Sequence, residues 1–261
     1  MLGQQILLLA YRMLRRPLQT RAGRRLFLAT YDVYKRFEAR DVSTLAHLIA
    51  PGSTVIDVGA NVGFFAMRFA RWVGPRGTVI AIEPESGNAG DLRSEAVRTG
   101  LTHVECVEAA AAARTGRGHL VLNPNHPADH RLGTSGVEID LVTIDGLMAE
   151  RAWPPVSLIK IDVQGGELDV INGAVETLSR SRPALYIEVD DEALIAQGAS
   201  ADAVAARLET LGYAPHEIDA RGRVRAVDWS AIVTRSRSGR YVDVLWLAST
   251  AASLTSASPR G

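Results

Sequence analysis

The stretch Thr54-Val55-Ile56-Asp57-Val58-Gly59-Ala60-Asn61-Val62-Gly63 constrains this chain more than any other. β-Branched residues lead into an acid, two glycines bracket a short turn, and the apolar run Phe64-Phe65-Ala66-Met67 follows. That order reads as a buried parallel strand, a tight turn and a helix start. Glycine in the turn removes the Cβ that would collide with a ligand, and a helix start leaves backbone N–H groups without partners. The competing reading is an ordinary strand-to-helix turn that holds nothing, and the downstream segments decide between the two.

Those segments repeat the alternation. Residues 42–50 predict a short helix ended by Pro51-Gly52, and Phe65, Phe69 and Val73 recur at helical spacing until Gly74-Pro75 stops them. Strands are predicted at Thr78–Ile82 and His103–Val107, with a helix from Asn88 to Thr99 between them, ended by Gly100. Strand, helix, strand at this spacing means right-handed crossovers and a parallel sheet. Ligands in such sheets bind at the carboxyl ends of the strands, where Asp57, Glu83 and Glu108 fall.

From Gly116 onward the pattern changes. Gly118–Leu122 and Val137–Ile144 read as two strands separated by a polar loop, an insertion where the substrate is expected to be met. Asp145 is expected to cap a short helix through Glu150, and Leu158–Asp162 reads as a fourth core strand. One helix is expected to carry Leu168, Ile171, Val175 and Leu178, and a fifth strand, Ala184–Val189, leads to Asp190 and Asp191. A helix at Ala201–Leu211 and strands at Pro215–Ile218 and Tyr241–Leu247 would complete the sheet.

At 261 residues the chain can bury one sizeable core, and no compositional break demands a second. Hydrophobic content of 47% with 22% charge excludes extensive disorder. No apolar run approaches the roughly 18–20 residues that span a bilayer, and Ile6–Ala10 is too short for a signal segment, so a cytoplasmic location is expected. Cys106 is the only cysteine, which excludes an internal disulfide and cysteine-rich zinc sites. Formal charge is zero overall, yet the first 40 residues hold nine basic against two acidic side chains, a net of +7. This basic, leucine-rich segment suits either a helical cap with its arginines in water or peripheral contact with an anionic membrane or a lipid-linked substrate. Nucleic-acid binding has no support, because no basic patch with interleaved aromatics occurs elsewhere. The expected organisation is an N-terminal helical extension over 1–41, the main domain over 42–249 and a frayed tail over 250–261.

The acids at the strand ends narrow the ligand. A dinucleotide fingerprint spaces three glycines as GxGxxG. Here the turn has two, and Asp57 beside it would repel pyrophosphate and suit a cationic amine. Glu83 lies 20 residues past Gly63, where a carboxylate can accept hydrogen bonds from ribose hydroxyls. An amine near Asp57 and a ribose on Glu83 describe S-adenosylmethionine (SAM).

Val55 to Gly63, Ile82-Glu83-Pro84, Leu158-Ile159-Lys160-Ile161-Asp162-Val163-Gln164-Gly165-Gly166-Glu167 and Ile187-Glu188 together resemble the FkbM family of SAM-dependent methyltransferases, over roughly Val42 to Leu247. The glycine turn alone points only to a class I methyltransferase; the segment from Lys160 to Glu167 makes the resemblance specific. It implies a Rossmann-like α/β domain with a mostly parallel seven-stranded sheet and helices on both faces. It also implies methylation of hydroxyls on sugars, glycolipids or polyketide-type natural products. Carried over, Asp57, Gly59, Ala60, Asn61, Gly63 and Phe64 would line the methionine and ribose part of SAM. Glu83, with Pro84, would bind the ribose, Glu108, Ala109 and Ala110 would lie near the adenine, and Asp162 would face the cofactor. The chain departs from the family pattern at Gln164, where the family usually shows Glu, and at Gly166, where Ala is common. If that acid serves elsewhere as a base or metal ligand, this protein is impaired or uses another group; if it only orients a neighbour, little changes.

For the transfer itself, an acceptor oxygen must be held in line with an activated methyl. Orientation alone can lower the barrier by roughly 7–11 kcal/mol, whereas a general base adds about 10²- to 10⁴-fold. Candidate bases or substrate ligands are Asp162, His130 and His126, and Asp129-His130-Arg131-Leu132 resembles a short motif in part of the family. Lys160, one of only two lysines, either pairs with an acid across the cleft or edges the sheet. Asp162, Glu188, Asp190 and Asp191 offer oxygen ligands for Mg²⁺, but strand-end acids more often pair with arginine, and no metal is expected. A nicotinamide-linked oxidoreductase and a catalytically silent SAM-binding or scaffold protein are the alternatives.

Overall fold

The computed structural model describes residues 42–123, 130–237 and 241–249. The basic segment 1–41, His126, Asp129 and the tail 250–261 lie outside the described residues.

After a 3-10 helix at Val42–Leu48, β1 (Thr54–Val58) leads through the glycine turn to α1 (Phe64–Val73), β2 (Thr78–Ile82), α2 (Ser86–Thr99) and β3 (Val104–Val107). Then come β4 (Ala110–Ala111), β5 (Gly116–Val121), β6 (Arg131–Gly133), β7 (Val137–Val142), α3 (Ile144–Glu150) and β8 (Val156–Ile161). The chain continues with α4 (Glu167–Asn172), α5 (Val175–Ser181), β9 (Ala184–Val189), α6 (Asp191–Ala196), α7 (Ala201–Thr210), β10 (Tyr213–Ile218), β11 (Val224–Ala226), α8 (Trp229–Ser236) and β12 (Val242–Ala248).

One sheet runs β11-β10-β12-β9-β8-β1-β2-β3. Its pairs from β9 to β3 are parallel, while β12 and β10 enter antiparallel and β11 adds an antiparallel edge. Every residue of β1 is buried, as a strand covered on both faces requires. On one face Val55, Val79 and Leu158 pack with Phe69 and Ala70 of α1. On the other, Ile56, Ile80 and Ile159 pack with Val170, Leu178 and Leu208. Among the described residues, no helix is long and apolar enough to cross a membrane.

The structure departs from the sequence expectation in four places. The main sheet has eight strands where seven are expected, because β11 folds back on β10. The insertion is a separate four-stranded sheet, β4-β7-β5-β6, rather than two strands. The single helix expected over Leu168 to Leu178 is broken after Asn172, where the chain turns through Gly173 and Ala174 into α5; Gly173 packs so close to Ala112 that a Cβ there would lie 2.1 Å from its carbonyl oxygen. Finally, Thr143 caps α3 by accepting from the Gly146 amide at 2.9 Å. Asp145 instead accepts from the Glu176 and Thr177 amides at 2.9 and 2.8 Å and from Thr177 Oγ1 at 2.7 Å, so it caps α5 from outside.

Candidate functional site

The glycine turn is fixed by close contacts. Gly59 and Ala60 both donate their amides to the Ile82 carbonyl, at 3.0 and 3.1 Å. Gly59 has φ 75°, and a Cβ there would lie 1.8 Å from the Asp162 carbonyl oxygen, so no other residue fits. Asn61 is left-handed at φ 50° and accepts the Val62 amide on its own Oδ1 at 2.8 Å. Gly63, at φ 90°, starts α1 without a side-chain cap, which leaves first-turn N–H groups of that helix facing the turn.

Three buried acids surround this turn. Asp57 is 1% exposed and neither carboxylate oxygen has a hydrogen-bond partner among the described residues. Burial pushes its pKa up to about 6; Lys160 opposes the rise, Asp162 adds to it, and the Ala66 amide pulls weakly without a hydrogen bond of ordinary geometry. Glu83, 5% exposed, accepts the Asn61 amide on Oε2 at 2.8 Å and the Glu85 amide on Oε1 at 2.9 Å. The Asn88 side chain adds a further hydrogen bond, yet burial still raises Glu83 to about 7. Glu83 therefore clamps the turn, and of the roughly four lone-pair positions of a carboxylate at least one stays available to a hydroxyl.

Glu167 is the third buried acid, and sequence reasoning assigned it no role although it ends the segment that begins at Lys160. It is 3% exposed; Oε1 accepts the Gly165 amide at 3.1 Å, Oε2 has no partner among the described residues, and burial raises its pKa to about 7. Gly165, at φ 99°, is pressed against α6: a Cβ would lie 2.4 Å from the Ala193 carbonyl oxygen.

Lys160 and Asp162 stand beside Asp57. Lys160 is buried and donates to Asp162 Oδ2 at 2.9 Å, and its Nζ lies 4.6 Å from the centre of the Phe65 ring. The pairing of β1 with β8 sets Asp57 opposite Lys160. Two residues past Asp162, Gln164 is left-handed at φ 55° and donates its side-chain amide to Glu188 Oε1 at 3.1 Å.

The other expected residues fall around this centre. Ala60 and Phe64 are buried, the Arg68 guanidinium lies 3.5 Å from the Phe64 ring centre, and Pro84 follows Glu83 at the end of β2. Glu108 is exposed and paired with Arg93 of α2 at 2.8 Å, while Ala109 and Ala110 are buried. His130 stands on the insertion and accepts the Asn123 amide on Nδ1 at 3.1 Å, which puts the proton of the neutral ring on Nε2. It is joined to the main site through Gln197, whose amide donates to the Leu132 carbonyl at 3.0 Å and whose Cγ lies beside Gly165. Nothing local in the sequence marks Gln197.

Asp190 and Asp191 do other work. Asp190 accepts the Glu192 and Ala193 amides as the cap of α6, and Asp191 binds the Ala201 amide and Arg237. Among the described residues, no three His, Cys, Asp or Glu side chains gather as a metal site.

Residues 57–215 match the family model described as the methyltransferase FkbM domain. The chain is 27% identical over 164 residues to the 2-O-methyltransferase NoeI of Sinorhizobium fredii, covering 55% of this chain and 66% of that protein. It is 30% identical over 158 residues to the 31-O-demethyl-FK506 methyltransferase FkbM of Streptomyces tacrolimicus, covering 48% of this chain and 60% of that one. The chain thus spans about two thirds or less of these relatives. The crystal structure of methyltransferase FkbM from Methylobacillus flagellatus KT aligns over 91% of this chain and 58% of its own, with a TM-score of 0.45 and 17% identity. The matched stretch contains Asp57, Glu83, Lys160, Asp162, Gln164, Glu167 and Glu188, and it displaces the nicotinamide-linked oxidoreductase alternative. The chain belongs to the FkbM family of SAM-dependent methyltransferases.

Proposed function

We propose that this protein is an O-methyltransferase that uses SAM to methylate a hydroxyl of a sugar, a glycolipid or a polyketide-type small molecule. The observation that carries the reading is Asp57: a buried carboxylate, beside the glycine turn, with neither oxygen partnered among the described residues. A buried acid without a hydrogen-bond partner is costly even with Lys160 nearby, and a cationic ligand at that turn reduces the cost. These residues fit SAM, which supplies a methyl group already activated on a sulfonium.

In this reading Asp57 holds the cationic end of the ligand. Glu83 takes a ribose hydroxyl while its other lone pairs keep the turn amides in place. Glu108, Ala109 and Ala110 flank the base at the end of β3. Asp162, fixed through Oδ2 by Lys160, orients the acceptor hydroxyl and takes up its proton. His130 supports the acceptor as an Nε2–H donor rather than as a base, because Nδ1 is occupied by the Asn123 amide. The O-methyl transfers printed in the names of the two relatives support the choice of oxygen as the acceptor atom.

The test is thermal stabilisation by S-adenosylhomocysteine (SAH). The wild type is expected to shift upward, and Asp57→Ala or Glu83→Ala to lose the shift; a wild type that does not respond would sink the proposal. Incubation with methyl-labelled SAM and cell extracts, followed by mass spectrometry of the labelled product, identifies the acceptor. SAH binding with no labelled product from any extract would favour the silent binding protein instead.

A further inference from the structure

We propose that Lys160 is a positioning residue that keeps Asp57 and Asp162 ionised together, so that the site is charged and ready before a cationic ligand arrives. The inference rests on the function proposed above and deepens it.

The placement comes from strand register. Asp57 on β1, Lys160 on β8 and Tyr186 on β9 are successive register partners, so their side chains form a row on the face of the sheet that α1 covers. Lys160 is 3% exposed, bound to Asp162 Oδ2 at 2.9 Å and set 4.6 Å from the Phe65 ring. Arginine supplies 27 of the 29 basic residues of this chain, and lysine occurs only at positions 35 and 160. A guanidinium presents five donors in a planar fork, whereas an ammonium is a compact point charge. Lysine places that point charge on Asp162 Oδ2.

Among the described residues, the following charged and titratable groups stand near the pair. Asp57 faces Lys160 from β1, Asp162 from its own strand and Tyr186 from β9. Glu167 in the following turn feels the charge of Asp162. Arg68 of α1 turns to its own helix, lying over Phe64 and donating to the Phe64 carbonyl at 2.8 Å. Among the described residues, the buried Asp57 and the partly buried Asp162 share this one ammonium, and removing it makes ionising both at once harder. A purely structural ion pair behaves differently: replacing its lysine with an apolar side chain changes stability but adds no pH dependence to ligand binding.

Calorimetric titration with SAH from pH 5.5 to 8.5, on the wild type, Lys160→Met and Lys160→Arg, tests this. Loss of an opposite charge at this range moves a carboxyl by roughly 1–3 pH units. In Lys160→Met the pH at which affinity is half-maximal is therefore expected to rise by at least one unit, giving at least about a threefold loss at pH 6.5 that grows toward tenfold at pH 5.5 and closes by pH 8.5. Lys160→Arg is expected to restore most of the wild-type profile. If Lys160→Met does not fold, Lys160→Gln, which retains a donor for Asp162 Oδ2 without the charge, carries the same comparison. A folded neutral variant whose affinity is unchanged, or lowered equally at every pH, would overturn the inference. A wild type that fails to bind SAH at any pH would instead refute the function proposed above.

Discussion

Gln164 on the turn after β8 donates its side-chain amide to Glu188 at the end of β9, 3.1 Å away, from a left-handed backbone at φ 55°. A non-glycine residue in that conformation is strained, and such strain is held only where the surroundings impose it. Gly165 pressed on α6 and Glu167 holding the Gly165 amide supply that restraint. Where the family resemblance implies a carboxylate, a carboxamide faces Glu188.

Replacing the amide, Gln164→Glu, sets two carboxylates against each other. They are expected to share a proton, with a pKa raised above the unfolded value. A raised folded pKa contributes stability that is present below the unfolded pKa and lost as pH rises through the folded one. The deficit in unfolding free energy relative to wild type, measured by chemical denaturation, should therefore be small at pH 5 and grow by pH 8, by on the order of 1 kcal/mol. SAH binding should survive, since Asp57 and Glu83 are untouched.

The buried acids make the unliganded protein itself sensitive to pH. Asp57, Glu83 and Glu167 are raised by burial to about 6, 7 and 7. By the same sign, stability should fall between pH 5 and pH 8 as these groups ionise inside the fold. Glu167→Gln keeps the acceptor for the Gly165 amide and removes the ionisation. Urea denaturation should find it matched with wild type at pH 5 and more stable at pH 8, by on the order of 2 kcal/mol. A variant no more stable than wild type at pH 8 would count against a buried, neutral Glu167.

Asp145→Ala removes three hydrogen bonds to the start of α5 and is expected to cost about 1–2 kcal/mol. Thr143→Ala removes one, to the Gly146 amide, and should cost less. Chemical denaturation ranks the two, and SAH affinity should be unchanged in both, because the caps lie on the face of the sheet away from α1.

Two glycine substitutions separate conformation from space. Gly173 has φ −84°, which any residue adopts, so Gly173→Ala tests only the 2.1 Å approach to the Ala112 carbonyl. Gly59→Ala adds a left-handed φ of 75° to a 1.8 Å approach. Both should destabilise by more than about 3 kcal/mol, placing them in the severe tail of single substitutions. Only Gly59→Ala should also abolish SAH binding in whatever folds.

The bounds read for Thr78–Ile82 and Ala184–Val189 match β2 and β9 residue for residue, because a run of apolar side chains between turn residues is a local signal. The edge strand β11, with exposed Val224 and Ala226, and the short α6 carry no such signal and went unread. The break at Gly173 was also hidden, and so was the packing of Gly173 against the Ala112 carbonyl far upstream. In the site, Asp57, Glu83 and Asp162 were legible as acids that end strands. Glu167 and Gln197 were not, because one looks like any helix-start acid and the other like any surface amide.

By itself the sequence determined the parallel core, the glycine turn and the family, all of which follow from residue types at fixed spacing along one strand-turn-helix path. Only the tertiary structure decided which acids are buried, which of them have partners and where Lys160, the one buried cation among the described residues, stands. Proton affinity depends on burial and on charges brought close by strand register, and Asp57 and Lys160 are neighbours only because β1 pairs with β8.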